Sequence, residues 1–295
     1  MPADPPDFQA NPAPAPWRID APSLRAALGG TARDWLLEIV DETGSTNADL
    51  SRAVREAGWG GGGRVRAAYR QSAGRGRQGR PWQGQAGLTF SVALPLALPP
   101  ARLSGLSLAV GLALAEALAD FEPALGRAVG LKWPNDLQID ERKLAGILIE
   151  SVPAGPERVW AVIGIGLNLV RDPAMEAALG RELAGVTEIA TGFDVVQGPT
   201  ALLAAVLNRL AAMHADFLAQ GFGPMAPRWC AHDAYRDQPV RLLHDGRLLA
   251  QGMARGVDGE GHLLLETDAG LQRIASGELS LRPATAGGAV AGAQA

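Results

Sequence analysis

Apolar residues recur along this chain with two different periods, and the periods divide it. Segments 47–57, 103–120 and 201–217 carry apolar residues three and four apart, the spacing that lays one stripe along a helix. Segments 35–40, 65–69, 88–94, 129–133, 137–139, 143–152 and 159–168 are shorter and rich in Val, Ile and Leu, and they read as strands. The links Pro134-Asn135-Asp136, Asp140-Glu141-Arg142 and Pro153-Ala154-Gly155-Pro156 are turn formers. Links this short join antiparallel neighbours, because a parallel crossover needs a dozen or more residues. The order predicts an α+β fold on a mixed, largely antiparallel sheet rather than a doubly wound one.

After Asp237 the pattern changes. Short strands at 239–243, 248–254, 262–266 and 272–275 alternate with Asp245-Gly246, Asp258-Gly259 and Asp268-Ala269-Gly270 turns. This predicts a small closed β-barrel over 237–283 as a domain separate from a main unit over 34–236. Residues 1–33 hold proline at positions 2, 5, 6, 13, 14 and 16, which predicts a flexible tail with one helical patch at 23–28. The Ala/Gly-rich residues 284–295 predict a second disordered tail.

Composition narrows the classes. Of 295 residues, 47% are hydrophobic and 20% charged, which is ordinary for a soluble globular protein. The net charge of −4 gives no global basic field to hold nucleic acid. A lone cysteine, Cys230, excludes an internal disulfide and any Cys-rich zinc site. The histidines, His214, His232, His244 and His262, are scattered without metal-ligand spacing. The N-terminal residues have no basic n-region. The most apolar stretch, 88–119, is interrupted by Pro95, Pro99, Pro100, Arg102 and Glu116 and reads as a buried helix, not a membrane span. A cytoplasmic protein is the expectation.

Candidate chemistry lies in four stretches. Arg64, Arg66, Arg70, Arg75, Arg77 and Arg80 crowd one region, and no acid occurs between Glu56 and Glu116; this is a local anion site. Its centre, Gly74-Arg75-Gly76-Arg77-Gln78-Gly79-Arg80-Pro81-Trp82, contains a formal G-x-G-x-x-G. That motif should open a helix and be followed by an acid about 20 residues on; here Pro81 and Trp82 follow at once. A loop whose backbone approaches phosphates while arginines supply charge fits better. A solvated basic loop or an RNA-binding Arg/Gly segment stays open. In Lys132-Trp133-Pro134-Asn135-Asp136, followed by Arg142-Lys143-Leu144-Ala145-Gly146, a hairpin could bring both ammonium groups to one site, with Gly146 letting a ligand lie close to the sheet. Gly164-Ile165-Gly166-Leu167-Asn168 ends an apolar strand, where glycines allow close approach or a bulge. Gly44-Ser45-Thr46-Asn47 is a helix start in which Ser45 or Thr46 serves as cap.

In chain order, from Ser45-Thr46-Asn47 to Gly164-Ile165-Gly166-Leu167-Asn168, and together with Gln71, Leu137 and Ile147-Leu148, the four stretches resemble the biotin protein ligases over about residues 38–282. Arg255-Gly256-Val257-Asp258 near the middle of the small β unit also looks like that family's C-terminal domain. The resemblance implies a catalytic domain related to class II tRNA synthetases, followed by an SH3-like barrel. It implies ATP, Mg²⁺ and biotin as ligands, formation of biotinyl-5′-AMP, and transfer of biotin to a lysine of the biotin carboxyl carrier domain of a carboxylase. By matching position, Ser45, Thr46, Asn47, Gln71, Arg75, Gly76, Arg77, Lys143, Gly146, Gly164 and Gly166 are expected at biotin. Arg77, Arg80, Trp82, Lys132, Asn135, Asp136 and Asn168 are expected toward ATP. Lys143, Arg75, Arg77 and Lys132 are the expected catalytic residues. Asp136 is the candidate to touch the metal that ATP carries. Some 35 Pro/Ala-rich residues precede the matching region, too few for the winged helix of bifunctional members, so the expectation is a ligase without DNA binding, as a monomer or weak homodimer. The rival within the fold is a lipoate or octanoate ligase or transferase, but its Arg-Arg-x-Ser-Gly-Gly-Gly stretch does not occur.

Overall fold

The most apolar of the expected strands is buried on both faces. It is β3 (Gly87–Leu96), which pairs along its whole length with β7 (Val159–Asn168), the central strand of seven. With β1 (Leu36–Thr43), β2 (Arg64–Gln71), β4 (Gly130–Lys132), β5 (Asp136–Ile139) and β6 (Arg142–Pro153) they form one sheet in the order β1-β2-β3-β7-β6-β5-β4. Only β1–β2 is parallel, joined through a helix; the other pairs are antiparallel. These coordinates come from a computed structural model that describes residues 17–82, 87–275 and 279–284. The helices are α1 (Ala21–Ala27), α2 (Thr46–Ala57), α3 (Leu106–Phe121), α4 (Pro123–Ala128), α5 (Pro173–Leu179), α6 (Gly198–Gln220) and α7 (Ala226–Ala231).

Alternation along the strands sorts the sheet into two faces. Phe90, Val92, Leu94, Ile147, Ile163 and Ile165 face the main core with α3 and α6, while Ala93, Val152, Trp160 and Val162 pack under Leu50 and Val54 of α2. A side chain such as Phe90, buried in the main core, contributes roughly 1.5–3 kcal/mol by leaving water. Pro100–Phe121 and Gly198–Gln220 are long and apolar enough to cross a membrane by composition. Here α3 and α6 pack on each other, with α3 buried on nearly its whole circumference, as a helix apolar all round must be.

Residues 17–33 pack on the main core where a flexible tail was expected, and the helical patch expected at 23–28 is α1. Asp20 caps α1 by accepting from the Ser23 amide, Pro22 sits in the first turn, and Trp17, Leu24, Leu28 and Ala32 are buried in the main core. Proline there starts a helix instead of preventing one, since its fixed φ suits the first turn. The remaining expectations for the ends, residues 1–16 and 285–295, lie outside the described residues.

The expected SH3-like β-barrel is corrected. β8 (Pro239–His244), β9 (Arg247–Val257), β10 (Leu263–Thr267), β11 (Gly270–Ile274) and β12 (Leu279–Pro283) form an open sheet in the order β11-β10-β9-β8-β12. The ladder of β11 runs wholly to β10 and that of β12 wholly to β8, so no ladder joins the two edges among the described residues. Asp-Gly turns fix which strands pair in sequence, but closure depends on the stagger between first and last strands, which no turn specifies. Its inner residues Val240, Leu242, Ala254, Leu265 and Leu281 join the main core, and β9 packs against α7. The buried Trp133 indole donates to the Gly261 carbonyl at 3.1 Å, and Leu131 exchanges backbone bonds with His232 and Ala234.

Candidate active site

One face of the large sheet is hollowed by small residues. Register places Ser91, Gly164 and Leu148 in one cross-strand row, and Thr89, Gly166 and Gly146 in the next. Directly opposite residues share a face, and the second row continues through Asp136 of β5 to Lys132 of β4. Two rows further along β7 from Gly164, on the same face, the fully buried Trp160 packs under α2 and bounds the hollow. The result is a trough running across the strands beside the N-terminus of α2.

The α2 end of the trough is neutral and fully hydrogen-bonded. Ser45 caps α2, its Oγ accepting from the Ala48 amide at 3.4 Å. The Gln71 Oε1 accepts from the Thr46 backbone N–H at 2.7 Å and lies 3.0 Å from Thr46 Oγ1. Thr46 Oγ1 lies 2.7 Å from Ser91 Oγ, which donates to Asn47 Oδ1 at 2.6 Å, and Asn47 Nδ2 donates to Glu150 at 2.9 Å. Ser45, Thr46, Asn47 and Ser91 are all buried, and buried hydroxyls and amides must be bonded in this way to avoid a desolvation cost.

The Arg/Gly stretch folds back as a tight hairpin. The Gly76 amide donates to Arg80 and the Trp82 amide to Gly74. The hairpin tip is tied to the sheet by Arg77, which donates to Asn135 Oδ1 at 3.0 Å; Asn135 in turn donates to the Ile147 carbonyl at 2.8 Å. The glycines of the floor carry this chain's own side chains. A Cβ on Gly166 would come within 2.0 Å of the Trp82 indole, and one on Gly164 within 2.5 Å of Asn47 Oδ1. The Trp82 Nε1 is buried with no hydrogen-bond partner among the described residues. Lys143 Nζ donates to Asp136 at 2.6 Å and sits 5.6 Å from the Trp82 ring centre.

Beyond Trp82 the trough opens into a cationic cleft lined by Arg77, Arg80, Lys132, Lys143, Arg181 and Arg282. Asp136, bonded to Lys143, is the acid lining it among the described residues. Arg80, Lys132, Arg181 and Arg282 have no carboxylate within ion-pair distance among the described residues. Burial pushes the Lys132 ammonium down to about 8, helped by Arg282, Lys143 and Arg181 and opposed by Asp136. Burial lowers Arg181 as well, with Arg282 and Arg80 adding to it and Asp136 opposing. Cations crowded until one is ready to release its proton make a site suited to a polyanion.

Set against the sequence, the residues expected at biotin, Ser45, Thr46, Asn47, Gln71, Arg75, Gly76, Arg77, Lys143, Gly146, Gly164 and Gly166, all line the first cavity. Of those expected toward ATP, Arg77, Arg80, Trp82, Lys132, Asn135 and Asp136 line the cleft. Asn168 lines neither; its side chain donates to the Lys143 carbonyl at 3.2 Å and joins β7 to β6. Ser91, Glu150, Arg181 and Arg282 went unread. Ser91 and Glu150 carried a signal, since each is a polar residue following an apolar run in its strand and needs a partner there. Arg181 carried none, because it stands in an ordinary charged stretch.

Comparison with known proteins gives two family models, "Biotin/lipoate A/B protein ligase family" over residues 42–168 and "Biotin protein ligase C terminal domain" over 237–282. The biotin--[acetyl-CoA-carboxylase] ligase of Paracoccus denitrificans is 35% identical over 253 residues, covering 80% of this chain and 97% of that protein. The bifunctional ligase/repressor BirA of Escherichia coli is 36% identical over 217 residues, covering 72% of this chain and 65% of that protein, so the match spans just under two thirds of its length. Among solved structures, the biotin protein ligase from Aquifex aeolicus in complex with biotin and ATP is 32% identical with a TM-score of 0.67, covering 85% of this chain and 98% of that one.

Proposed function

From a chain that belongs to the biotin protein ligases of the biotin/lipoate A/B protein ligase family, we propose that it condenses biotin with ATP to biotinyl-5′-AMP and transfers the biotinyl group to a lysine of a carrier domain. The observation that carries the residue-level reading is the trough itself, neutral and polar at one end and cationic at the other. Biotin has the same polarity. Its ureido ring needs donors and acceptors without charge, which Ser45, Thr46, Asn47 and Gln71 supply. Its carboxylate must approach the α-phosphate of ATP, and two anions meet only where fixed positive charge surrounds them.

In this reading Lys143 orients the biotin carboxylate, and its bond to Asp136 holds the ammonium in place beforehand. A carboxylate oxygen attacks the α-phosphorus and pyrophosphate leaves. Arg75 and Arg77 stabilise charge at the phosphorus, while Arg80, Lys132, Arg181 and Arg282 face the departing diphosphate. Positioning then dominates the second step, in which the acceptor amine attacks the acyl carbon and AMP leaves. A magnesium site built by the protein does not fit the donor set. No group of three acids, histidines or cysteines converges among the described residues, and Asp136 is engaged by Lys143. No step is therefore assigned to a protein-held metal.

The test is exchange of labelled pyrophosphate into ATP by the purified chain. Exchange that requires biotin, and does not occur with lipoate or octanoate, is the expected result. Exchange driven by lipoate or octanoate instead would move the chain to the other branch of its family.

A further inference from the structure

Glu150 has no place in the chemistry above, yet it ends the hydrogen-bonded chain that lines the neutral pocket. It lies on β6 opposite Val162 of β7, on the face shared by Gly146 and Leu148. Packing against Val162 does not call for a carboxylate. Its two oxygens have separate contacts: Oε2 accepts from Asn47 Nδ2 at 2.9 Å, and Oε1 lies 3.9 Å from the Arg75 guanidinium.

We infer that Glu150 is a positioning residue that sets the direction of every hydrogen bond from Asn47 to Gln71, and so decides whether the pocket wall offers acceptors or donors. The inference rests on the reading of the pocket as the biotin site. An ionised carboxylate only accepts, so the Asn47 amide must turn its NH₂ to Glu150 and its Oδ1 to Ser91. Ser91 therefore commits its one proton to Asn47, across 2.6 Å. The 2.7 Å contact between Ser91 and Thr46 then has a single possible donor, Thr46 Oγ1. The Thr46 proton is thus held inside the wall, between Ser91 Oγ at 2.7 Å and Gln71 Oε1 at 3.0 Å, and Gln71 Oε1 is also served by the Thr46 backbone N–H at 2.7 Å. Thr46 Oγ1 is left with lone pairs and no proton for the cavity. That is the wall a ureido N–H requires.

Without an acceptor at position 150 the amide can flip. Ser91 then receives rather than gives, and the Thr46 proton is free to turn toward the ligand, where it opposes a ureido N–H. The side chain of Glu150 is about one third exposed, at 37%, so its replacement leaves no buried hole.

The experiment is steady-state kinetics of biotin-dependent adenylation for wild type, Glu150→Ala and Glu150→Gln, with thermal unfolding of each. Glu150→Ala is expected to raise KM for biotin about tenfold, the effect of one misdirected hydrogen bond, with kcat and KM for ATP within about twofold of wild type. Glu150→Gln keeps an acceptor for Asn47 and is expected to restore most of the lost affinity. An unchanged KM for biotin in Glu150→Ala would overturn the inference. So would a loss in kcat that only follows the unfolding temperature, or a Gln variant as impaired as the Ala variant, which would point to the Arg75 contact instead. If wild type itself shows no biotin-dependent exchange, it is the assignment of the pocket that fails, and the two failures are distinct.

Discussion

Lys132 offers a direct test of the cationic cleft, because its proton is loosely held. Burial and three neighbouring cations bring its ammonium down to about 8. Bound polyphosphate reverses the balance, since opposite charge close by favours the charged form. Suppose the nucleotide returns Lys132 to the ordinary lysine range. At pH 7 about nine in ten free molecules already carry the proton, and binding takes up almost none. At pH 9 about nine in ten have lost it and must regain it. Linkage then makes binding about tenfold weaker at pH 9 than at pH 7. Lys132→Arg keeps a charge that does not titrate in this range, so its affinity should stay level across the same interval. The assay is calorimetric titration with a non-hydrolysable ATP analogue at pH 7, 8 and 9, in two buffers of different ionisation enthalpy, which reads proton uptake directly. A wild-type affinity that stays level with pH, with no proton taken up at pH 9, would refute the reasoning: either the phosphates do not enter this cleft or Lys132 does not face them.

Three further outcomes follow from the geometry. Lys143→Ala should slow adenylation by roughly a hundredfold or more, the usual cost of one preorganised donor, and Asp136→Asn, which only loosens Lys143, should cost less; single-turnover rates of biotinyl-AMP formation would show an inverted order if Asp136 were the primary group. Arg181→Ala should raise KM for ATP by roughly tenfold or less and leave KM for biotin alone, so a change in the biotin constant would place Arg181 elsewhere. Burial pushes the Asp233 carboxyl up to about 6, and its Oδ2 is buried without a partner among the described residues. A raised folded-state value means that the native state holds more protons between about pH 4 and 6. Stability is therefore lost as pH rises through that window, by up to about 3 kcal/mol. Asp233→Asn should melt higher than wild type at pH 7.5 and no higher at pH 4, and equal melting curves at pH 7.5 would discard the account.

What could be read from the sequence follows from which interactions are local. Strand and helix periods are local, so β7 appeared at its full extent, and the two-residue spacing of Gly164 and Gly166 put both on one face. What lies on those glycines was not readable, because the Trp82 indole and the Asn47 amide arrive from segments about 80 and 120 residues away along the chain. The open C-terminal sheet escaped for a related reason: each hairpin turn is written in the sequence, but the relation of β11 to β12 is not. In residues 17–33 the helical patch is legible in the local sequence but its docking on the core is not; Pro22 at a helix start and the stripe of Trp17, Leu24 and Leu28 outweigh the prolines before it.

The row from Thr89 through Gly166, Gly146 and Asp136 to Lys132 crosses four strand spacings, about 19 Å at roughly 4.8 Å each. A ligand that is neutral at one end and anionic at the other can lie along it only if nothing projects from the middle. Glycine at 166 and 146 meets that condition as far as the sheet is concerned. The side chain on that path is Trp82, whose indole lies on Gly166 and whose buried Nε1 has no acceptor among the described residues. A buried N–H without an acceptor forfeits about 1–3 kcal/mol. A ligand that lies along the row therefore meets the indole between the neutral and the cationic ends, and one that offers an acceptor there relieves that cost.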